Sequence, residues 1–258
     1  GGGQRRPSES GNPAAGQGGG ARKGDPKAME ILVWACAGLS VLCGAGAALC
    51  QNLGRWLEKF ICKTSASVLF CMTAVLALGQ SGDWRTACPI FAALVLGLVG
   101  DICLACPRLM GQGGAPQQIW LAFGLVCFGL GHLVYTGMFL ARADWALWPL
   151  LAAPVLPVVL WLLIRLGFCR PEPAAIAVGI YLYAAVVGVM AGGAAFCVLF
   201  GEGPDLWLAS ALLFVVSDST LTRDTFPVGR WKVDPFLPFI VLVCYFLAQN
   251  LFALSILG

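Results

Sequence analysis

The chain has 258 residues, of which 59% are hydrophobic and 11% are charged, with a formal net charge of +3 at pH 7. Its mean hydropathy is +0.83. Soluble globular proteins carry about 25% charged residues, so the composition excludes an ordinary water-soluble domain and indicates a protein that uses lipid as its solvent; we expect no nucleic-acid partner.

Residues 1–28 differ in composition from the rest of the chain. They are rich in Gly, Pro, Ser and Gln, contain five basic residues and lack any apolar run that could pack, which is typical of a disordered tail. The first apolar run begins near Met29, after a polar stretch that is too long for a signal peptide. We therefore expect this run to remain as the first spanning helix, and residues 29–258 to form one transmembrane domain.

Eight apolar stretches follow, each long enough to cross a bilayer as a helix. They cover residues 29–50, 60–79, 87–106, 118–140, 145–165, 174–200, 205–222 and 236–257. The sequence therefore predicts an all-α, polytopic integral membrane protein with about eight transmembrane helices. Tryptophans near the ends of these stretches are typical of an interfacial aromatic belt; they are Trp56, Trp84, Trp120, Trp145, Trp148, Trp207 and Trp231.

Basic residues divide unequally between the two predicted membrane faces. With eight spans both termini lie on one face, and the loops of the opposite face hold most of the loop Arg and Lys residues. That excess favours a cytoplasmic position for these loops, whereas the basic N-terminal tail favours a cytoplasmic position for the termini. Both orientations stay open at this point.

A recurrence of polar residues relates the two halves of the chain. Asp101 in ALVLGLVGDICL and Asp218 in ALLFVVSDSTL are 117 residues apart, and the same offset separates His132 in FGLGHLVY from Gln249 in YFLAQNLF. Because the offset covers four helices, the pattern predicts two parallel four-helix repeats related by an axis along the membrane normal. Chance similarity between Leu-rich helices is the alternative.

Few ionisable side chains lie inside the predicted spans, and each is a functional candidate because an unpaired charge in lipid is costly. The ionisable candidates are Asp101, Asp218, His132 and Lys63, and the neutral polar residues of the fourth and eighth helices are Tyr135, Tyr245, Gln249 and Asn250. At 1.5 Å per residue, the two aspartates should lie roughly 6–8 Å inside one membrane face, which Lys63 also enters.

Each of these candidates has a structural and a functional interpretation. The aspartates either pair with Lys63 and bond across helices, or they form a carboxyl pair in which one member stays protonated, which supplies an acid and a base. His132 is either a satisfied buried histidine or a catalytic one. Lys63 either snorkels to the interface or contacts a phosphate.

The twelve cysteines lie mostly inside apolar stretches, where a cysteine behaves as a small buried hydrophobe. Cys103 and Cys106 form one CxxC pair, but the chain has no second pair and a single histidine. A structural zinc site needs more ligands than these, and one CxxC pair at a helix end is weak evidence for a redox site. We therefore expect no metal and no cofactor.

Six segments together resemble the lysoplasmalogenase (YhhN-like) family of multi-pass membrane proteins, over roughly residues 55–258. They are ICKTS in the second helix, LVGDICL in the third, GLGHLVYTGMF in the fourth, IYLYAAVVGVM in the sixth, ALLFVVSDSTLTRDTF in the seventh and CYFLAQNLFALSIL in the eighth. The segment CYF departs from the TYY that is usual in the family.

The resemblance implies an enzyme of the endoplasmic reticulum membrane that hydrolyses the vinyl ether of lysoplasmalogens to a fatty aldehyde and glycerophosphoethanolamine or glycerophosphocholine. It implies that Asp101 and Asp218 are catalytic, and that substrate-binding or supporting positions fall on the residues Lys63, His132, Tyr135, Tyr245 and Gln249. A general acid and a carboxylate that stabilises the cation suffice for this chemistry. The alternatives are a transporter or channel with parallel repeats and a noncatalytic lipid-binding protein.

Overall fold

The protein is described by a computed structural model that covers residues 1–2, 26–109, 115–142, 147, 151–172, 174–201, 203–228 and 234–258. Within these ranges it forms eight α-helices and no β-strand. The helices are α1 (Pro26–Asn52), α2 (Trp56–Ser81), α3 (Trp84–Leu109), α4 (Ala115–Leu140), α5 (Val155–Arg165), α6 (Ala174–Phe200), α7 (Asp205–Thr225) and α8 (Leu237–Leu254), and a 3-10 turn covers Ser255–Leu257. The predicted disordered tail lies almost entirely outside the described residues.

Seven of these helices, α1–α4 and α6–α8, are long and apolar enough to cross a membrane. Helix α7, for example, has 21 residues, which is about 31 Å at 1.5 Å per residue and matches a hydrocarbon core of about 30 Å. The prediction of an all-α, polytopic membrane fold is confirmed.

The fifth predicted span, residues 145–165, is the exception. Its described part contains α5, which has 11 residues and is about 16 Å long, too short to cross a bilayer by itself. A turn over residues 153–154 precedes this helix. Pro154 explains the break, because a proline has no N–H to donate and its ring clashes with the preceding helical turn.

Helix α8 occupies the centre of the bundle. It packs against α1, α2, α3 and α7, and 67% of its spanning window is buried, against 22–44% in the other six spans. A helix with apolar residues on all sides suits this central position. Most side chains of α8 therefore meet another helix, and Ile240 and Leu247 are its exposed large hydrophobic residues.

One buried amide ties α8 to the first two helices. Asn250 Nδ2 donates hydrogen bonds to Ser40 Oγ at 2.9 Å and to Phe246 O at 2.7 Å, and Asn250 Oδ1 accepts one from Thr73 Oγ1 at 3.3 Å. Ser40 Oγ in turn donates to Ala66 O at 2.8 Å. Polar bonds of this kind hold membrane helices together where apolar packing alone has no preference over lipid.

The connection between α2 and α3 is short because its residues supply both helix ends. Gly82 takes the left-handed conformation, with φ 67°, and its N–H bonds to Leu78 O at 2.9 Å. Asp83 Oδ1 then accepts the backbone N–H groups of Arg85 at 3.1 Å and Thr86 at 3.3 Å, which caps α3. The Thr86 side chain also donates a hydrogen bond to the Asp83 carboxylate. This bond has the largest effect, and together with the two backbone bonds it holds the pKa of Asp83 below its ordinary value.

One of the tryptophans that the sequence predicts for an aromatic belt is buried in the bundle. Trp56 and Trp84, at the starts of α2 and α3, are 37% and 64% exposed. Trp207 is instead 2% exposed, and its Nε1 donates to Ser255 Oγ at 2.9 Å. Its ring therefore fills the bundle, with its one polar group satisfied. The tryptophans Trp145, Trp148 and Trp231 lie outside the described residues.

Close packing of α1 against α8 depends on Gly44. A Cβ atom added to Gly44 would lie 2.3 Å from Cδ2 of Phe246, a fully buried ring. We expect Gly44→Ala to lower the free energy of unfolding in detergent by about 1–3 kcal/mol, the usual cost of overpacking a core. Gly38→Ala on the same helix, where nothing lies within 4 Å, is the matched control and should not destabilise. Equal unfolding curves for the two variants would contradict the packing described.

Candidate active site

A buried ion pair between α2 and α3 forms one side of the site. Lys63 Nζ lies 3.0 Å from Asp101 Oδ1, and the two side chains are only 9% and 1% exposed. The second carboxylate oxygen, Oδ2, accepts hydrogen bonds from Ser67 Oγ at 2.5 Å and from Tyr245 Oη at 2.8 Å. All of these neighbours are donors, and an ionised carboxylate accepts only. The arrangement therefore fits Asp101 in its charged form.

Asp218 of α7 has a different environment. Its Oδ2 accepts a hydrogen bond from Tyr183 Oη of α6 at 2.9 Å and lies 3.7 Å from His132 Nε2 of α4. Its side chain is 18% exposed. Neither neighbour carries a permanent positive charge, so the cost of burying a charge on Asp218 is not offset as it is for Asp101.

His132 is held between Asp218 and an aromatic wall. Its Nε2 lies 3.0 Å from Tyr183 Oη, and its ring meets that of Phe214 edge to face, with centroids 5.0 Å apart. Because Tyr183 donates its own hydrogen to Asp218, it accepts from His132, so Nε2 carries a hydrogen. His132 Nδ1 is buried and has no hydrogen-bond partner among the described residues.

A second row of polar residues lies behind Asp101. Gln249 Nε2 donates to Tyr245 Oη at 3.1 Å, and Tyr135 Oη is 3.4 Å from Gln249 Oε1. The ring of Tyr135 stacks on Phe252 with centroids 4.0 Å apart. This row needs Gly97 on α3, since a Cβ there would lie 2.6 Å from Gln249 Nε2. The hydrogen bonds from Tyr135 to Gln249 and from Gln249 to Tyr245 fix the Tyr245 hydroxyl, which donates a hydrogen bond to Asp101.

Both aspartates line one cavity of about 170 Å³. It extends from half-buried residues at the ends of α1, α2 and α7 into the middle of the bundle, and apolar side chains form much of its wall. The polar residues that line its inner part are Lys63, Asp101, His132, Tyr183, Ser217, Asp218 and Tyr245. No hydrogen bond among the described residues links the two carboxyls, so the predicted direct carboxyl pair is replaced by two separately bound carboxyls that share a cavity.

The two aspartates have equivalent positions in the helix bundle. Asp101 on α3 is bound by its neighbour α2, through Lys63, and by α8, through Tyr245. Asp218 on α7 is bound by its neighbour α6, through Tyr183, and by α4, through His132. Each aspartate thus contacts one helix of its own half and one of the other half.

The site lies at one level of the bundle. Lys63 is seven residues from the start of α2, Asp218 seven from the end of α7 and Asp101 eight from the end of α3, so all three are about 10–12 Å from a helix end. The predicted depth was roughly 6–8 Å, measured from the ends of the apolar stretches. The difference arises because α3 and α7 continue three residues past those stretches, to Leu109 and Thr225.

Five of the seven predicted site residues meet in the cavity, and two lie behind it. Those in the cavity are Asp101, Asp218, Lys63, His132 and Tyr245, and those behind it are Tyr135 and Gln249. The snorkelling interpretation of Lys63 is wrong, because its Nζ is buried against Asp101.

Tyr183 is not among the site residues predicted from the sequence, although it lies in IYLYAAVVGVM. A tyrosine in an apolar helix gives no charge signal, and only its contact with Asp218 marks it. Lys59, Gln51 and Asp224, at the mouth of the cavity, were missed because they lie at helix ends, where polar residues are ordinary. The described residues contain no group of three or more His, Cys, Asp and Glu side chains placed to hold a metal ion.

Comparison with known proteins gives one match. A sequence model of the YhhN family matches residues 58–256, about three quarters of the chain. That range contains both aspartates and all of their partners. No curated protein and no solved structure matches the chain.

The geometry of the ion pair predicts strong coupling between its two members. Lys63→Met and Asp101→Asn each leave one buried group without its partner, and each should lower the free energy of unfolding by about 3–5 kcal/mol. The double variant should lose much less than the sum of the two, because it buries no unpaired charge.

Unfolding in mixed detergent micelles would measure the four-variant cycle. The exposed pair Arg55 and Glu58, with side chains 58% and 41% exposed, is the control cycle and should show no comparable coupling. Additive losses at Lys63 and Asp101 would contradict the buried pair.

Proposed function

The chain belongs to the YhhN family, which includes lysoplasmalogenases, and on that premise we propose that it hydrolyses the vinyl ether bond of lysoplasmalogens. The products are a fatty aldehyde and a glycerophospho-base. The observation that carries the proposal is the pair of unequal carboxyls on one cavity: Asp101, bound by a cation, and Asp218, bound by a tyrosine and a histidine. The enzyme would act within its own membrane, which we expect to be the endoplasmic reticulum.

The reaction needs one proton delivered to carbon. Protonation of the alkene carbon distal to the ether oxygen converts the vinyl ether into an oxocarbenium ion. Water then adds to the carbon that bears the oxygen and loses a proton, which gives a hemiacetal. In the last step the hemiacetal hydroxyl loses its proton to a carboxylate while a proton is delivered to the glyceryl oxygen. The C–O bond to glycerol breaks and a C=O bond forms, so one water is consumed, an aldehyde and an alcohol are released, and the acid is regenerated.

Asp218 is the better candidate for the general acid. It is partly exposed to the cavity, and it has no permanent cation beside it that would stabilise the carboxylate and so favour loss of the proton. After it donates its proton, its carboxylate is stabilised by the hydrogen bond from Tyr183 and by the nearby Nε2–H of His132. The same carboxylate can then accept a proton from the attacking water and return it to the glyceryl oxygen.

Asp101 suits the second role, stabilisation of the cation. Three donors, one of them the Lys63 ammonium, bind its carboxylate oxygens, so the carboxylate is already oriented in a poorly solvated cavity. Such a preorganised charge is most effective where water is excluded.

The apolar walls suit a lipid chain. Leu121, Leu125 and Phe128 of α4 line the main cavity. A second cavity of about 50 Å³ between α5, α6 and α7 adjoins the first and shares Ile180, Tyr183, Asp218 and Thr222 with it. An alkenyl chain that extends along these walls would present its ether end to the aspartates.

A transporter would need a path from the site to the other face. Beyond His132, α4 carries Tyr135 and Phe139 toward its end, and both rings are fully buried. Tyr135 stacks on Phe252 at 4.0 Å, and Phe139 packs on the same ring at 6.4 Å. Closely packed rings at this position favour a site that opens to one face, as an enzyme requires.

Removal of either carboxyl should abolish turnover. We expect Asp101→Asn and Asp218→Asn to lower aldehyde release from lysoplasmenylethanolamine by about 10²–10⁴-fold, the usual contribution of a general acid or base. Asp205→Asn, at the exposed start of α7, is the matched control. The double variant Lys63→Met/Asp101→Asn buries no unpaired charge, so it should fold. If it is folded and inactive, the loss of activity is due to the missing carboxylate and not to unfolding. Full activity in both single variants would falsify the carboxylate mechanism.

The chemistry also predicts an isotope pattern. In D₂O, the acid delivers one deuteron to the distal alkene carbon, so the released aldehyde should carry one deuterium at C2, measured by mass spectrometry. The matching aldehyde incubated with the protein in D₂O controls for exchange after release. Aldehyde without deuterium at C2 would show that the carbon is not protonated and that a different reaction operates.

A further inference from the structure

Three polar side chains from three helix ends meet at the mouth of the cavity. Gln51 is one residue from the end of α1, Lys59 lies in the first turn of α2 and Asp224 in the last turn of α7. Lys59 Nζ donates to Gln51 Oε1 at 2.5 Å, and Gln51 Nε2 lies 3.4 Å from Asp224 Oδ2. All three line the cavity and are half-buried. We call these residues the mouth cluster.

The mouth cluster presents a positive and a negative group separated by a single amide. Lys59 carries an ammonium with three N–H donors, and this ammonium donates a hydrogen bond to Gln51 Oε1. Its ammonium also lies 5.5 Å from the centre of the Trp56 ring, which favours the charged form. Asp224 supplies an acceptor on the opposite side of Gln51. This spacing complements a zwitterion whose two charges are also joined by a short linker.

The distance from the mouth cluster to the aspartates matches a glycerol backbone. Lys59 lies one turn before Lys63 on α2, and Asp224 lies six residues after Asp218 on α7, which is about 6–9 Å along the helix axes. In a glycerophospholipid the phosphorus lies about 6 Å from the sn-1 oxygen when the chain is extended, at about 1.5 Å per bond. A lipid with its ether bond between the aspartates would therefore place its phosphate at the mouth.

The other described cations near this face do not line the mouth of the cavity. Lys63 is bound to Asp101, and the Arg223 guanidinium lies 4.9 Å from the centre of the Phe168 ring, outside the cavity lining. The side chains of Arg108, Arg230 and Lys232 lie outside the described residues. Lys59 is therefore the described cation that lines the mouth.

We propose that the mouth cluster is the headgroup site for a phosphoethanolamine lipid, with the phosphate at Lys59 and the primary ammonium at Asp224. This inference rests on the proposed function and assigns the substrate's polar end. A primary ammonium can donate N–H bonds to the Asp224 carboxylate. A quaternary choline has no N–H and is usually bound by several aromatic rings, whereas Phe226 is the one aromatic residue of the lining within a turn of Asp224. The mouth cluster should therefore prefer ethanolamine to choline.

Binding of lipids that cannot be hydrolysed tests the headgroup site without relying on turnover. The probes are saturated 1-O-alkyl-glycerophosphoethanolamine and the matching choline lipid, with 1-O-alkylglycerol and soluble O-phosphoethanolamine as ligands that lack one end. Affinities for the purified full chain in micelles would be measured by calorimetry. The wild-type protein should bind the ethanolamine lipid about tenfold more tightly than the choline lipid, the difference expected for one charge-assisted hydrogen bond.

Each variant has its own expected pattern. Asp224→Asn should weaken binding of the ethanolamine lipid about tenfold and remove the preference for it over the choline lipid. Lys59→Met should weaken binding of both phospholipids about equally. Both should affect 1-O-alkylglycerol far less, which distinguishes a lost headgroup contact from a lost fold. Glu58→Gln and Lys27→Met, charged positions outside the cavity lining, are the controls.

Three results would overturn the headgroup assignment: a preference unchanged in Asp224→Asn, phospholipid binding unchanged in Lys59→Met, or soluble O-phosphoethanolamine bound as tightly as the lipid. The fate of the proposed function is read separately, from aldehyde release by wild-type protein. Headgroup discrimination without aldehyde release would support the headgroup site and refute the proposed enzymatic activity. Aldehyde release without headgroup discrimination would support the enzymatic activity and refute the headgroup site.

Discussion

The ion pair of Lys63 and Asp101 is the interaction on which the rest of the site depends. A lysine and an aspartate buried in an apolar helix bundle are tolerated only when they meet and when their remaining hydrogen-bonding capacity is used. Ser67 and Tyr245 complete the shell of Asp101, and Gln249 and Tyr135 fix Tyr245 in turn. One costly charge thus determines the position of side chains on α2, α3, α4 and α8.

Helix packing makes this shell possible. Because α8 packs against α3, Tyr245 can reach Asp101 with Gln249 behind it only if α3 is small at this level, which Gly97 ensures. On the other side of the cavity, Tyr183 and His132 contact Asp218 without a permanent cation. Two carboxyls at one depth consequently differ in charge balance. That inequality is what general acid catalysis by one and electrostatic stabilisation by the other require.

Hydropathy and charge were enough to predict the spanning helices and to single out the buried charged residues of the candidate site. Long apolar runs predict helices whatever their neighbours are, and buried charges such as Asp101 and Lys63 are visible in any apolar stretch. The interrupted fifth span was missed because α5 is as apolar as a true span, and its short length depends on Pro154. Tyr183 and the buried ring of Trp207 were missed because their roles depend on contacts between helices, which composition does not record. The separate partners of the two aspartates were unpredictable for the same reason, since helix adjacency decides which donor reaches which carboxyl.

The central claim is that a membrane-embedded pair of unequal carboxyls cleaves a vinyl ether. It is tested most directly by purified wild-type protein in detergent micelles, given a lysoplasmenyl lipid beside the saturated alkyl ether and the acyl lysolipid with the same headgroup. The account predicts fatty aldehyde and the glycerophospho-base from the vinyl ether alone, because only its alkene carbon can be protonated to an oxocarbenium ion. Cleavage of the acyl or saturated lipid at a comparable rate, or no aldehyde from the vinyl ether, would contradict it.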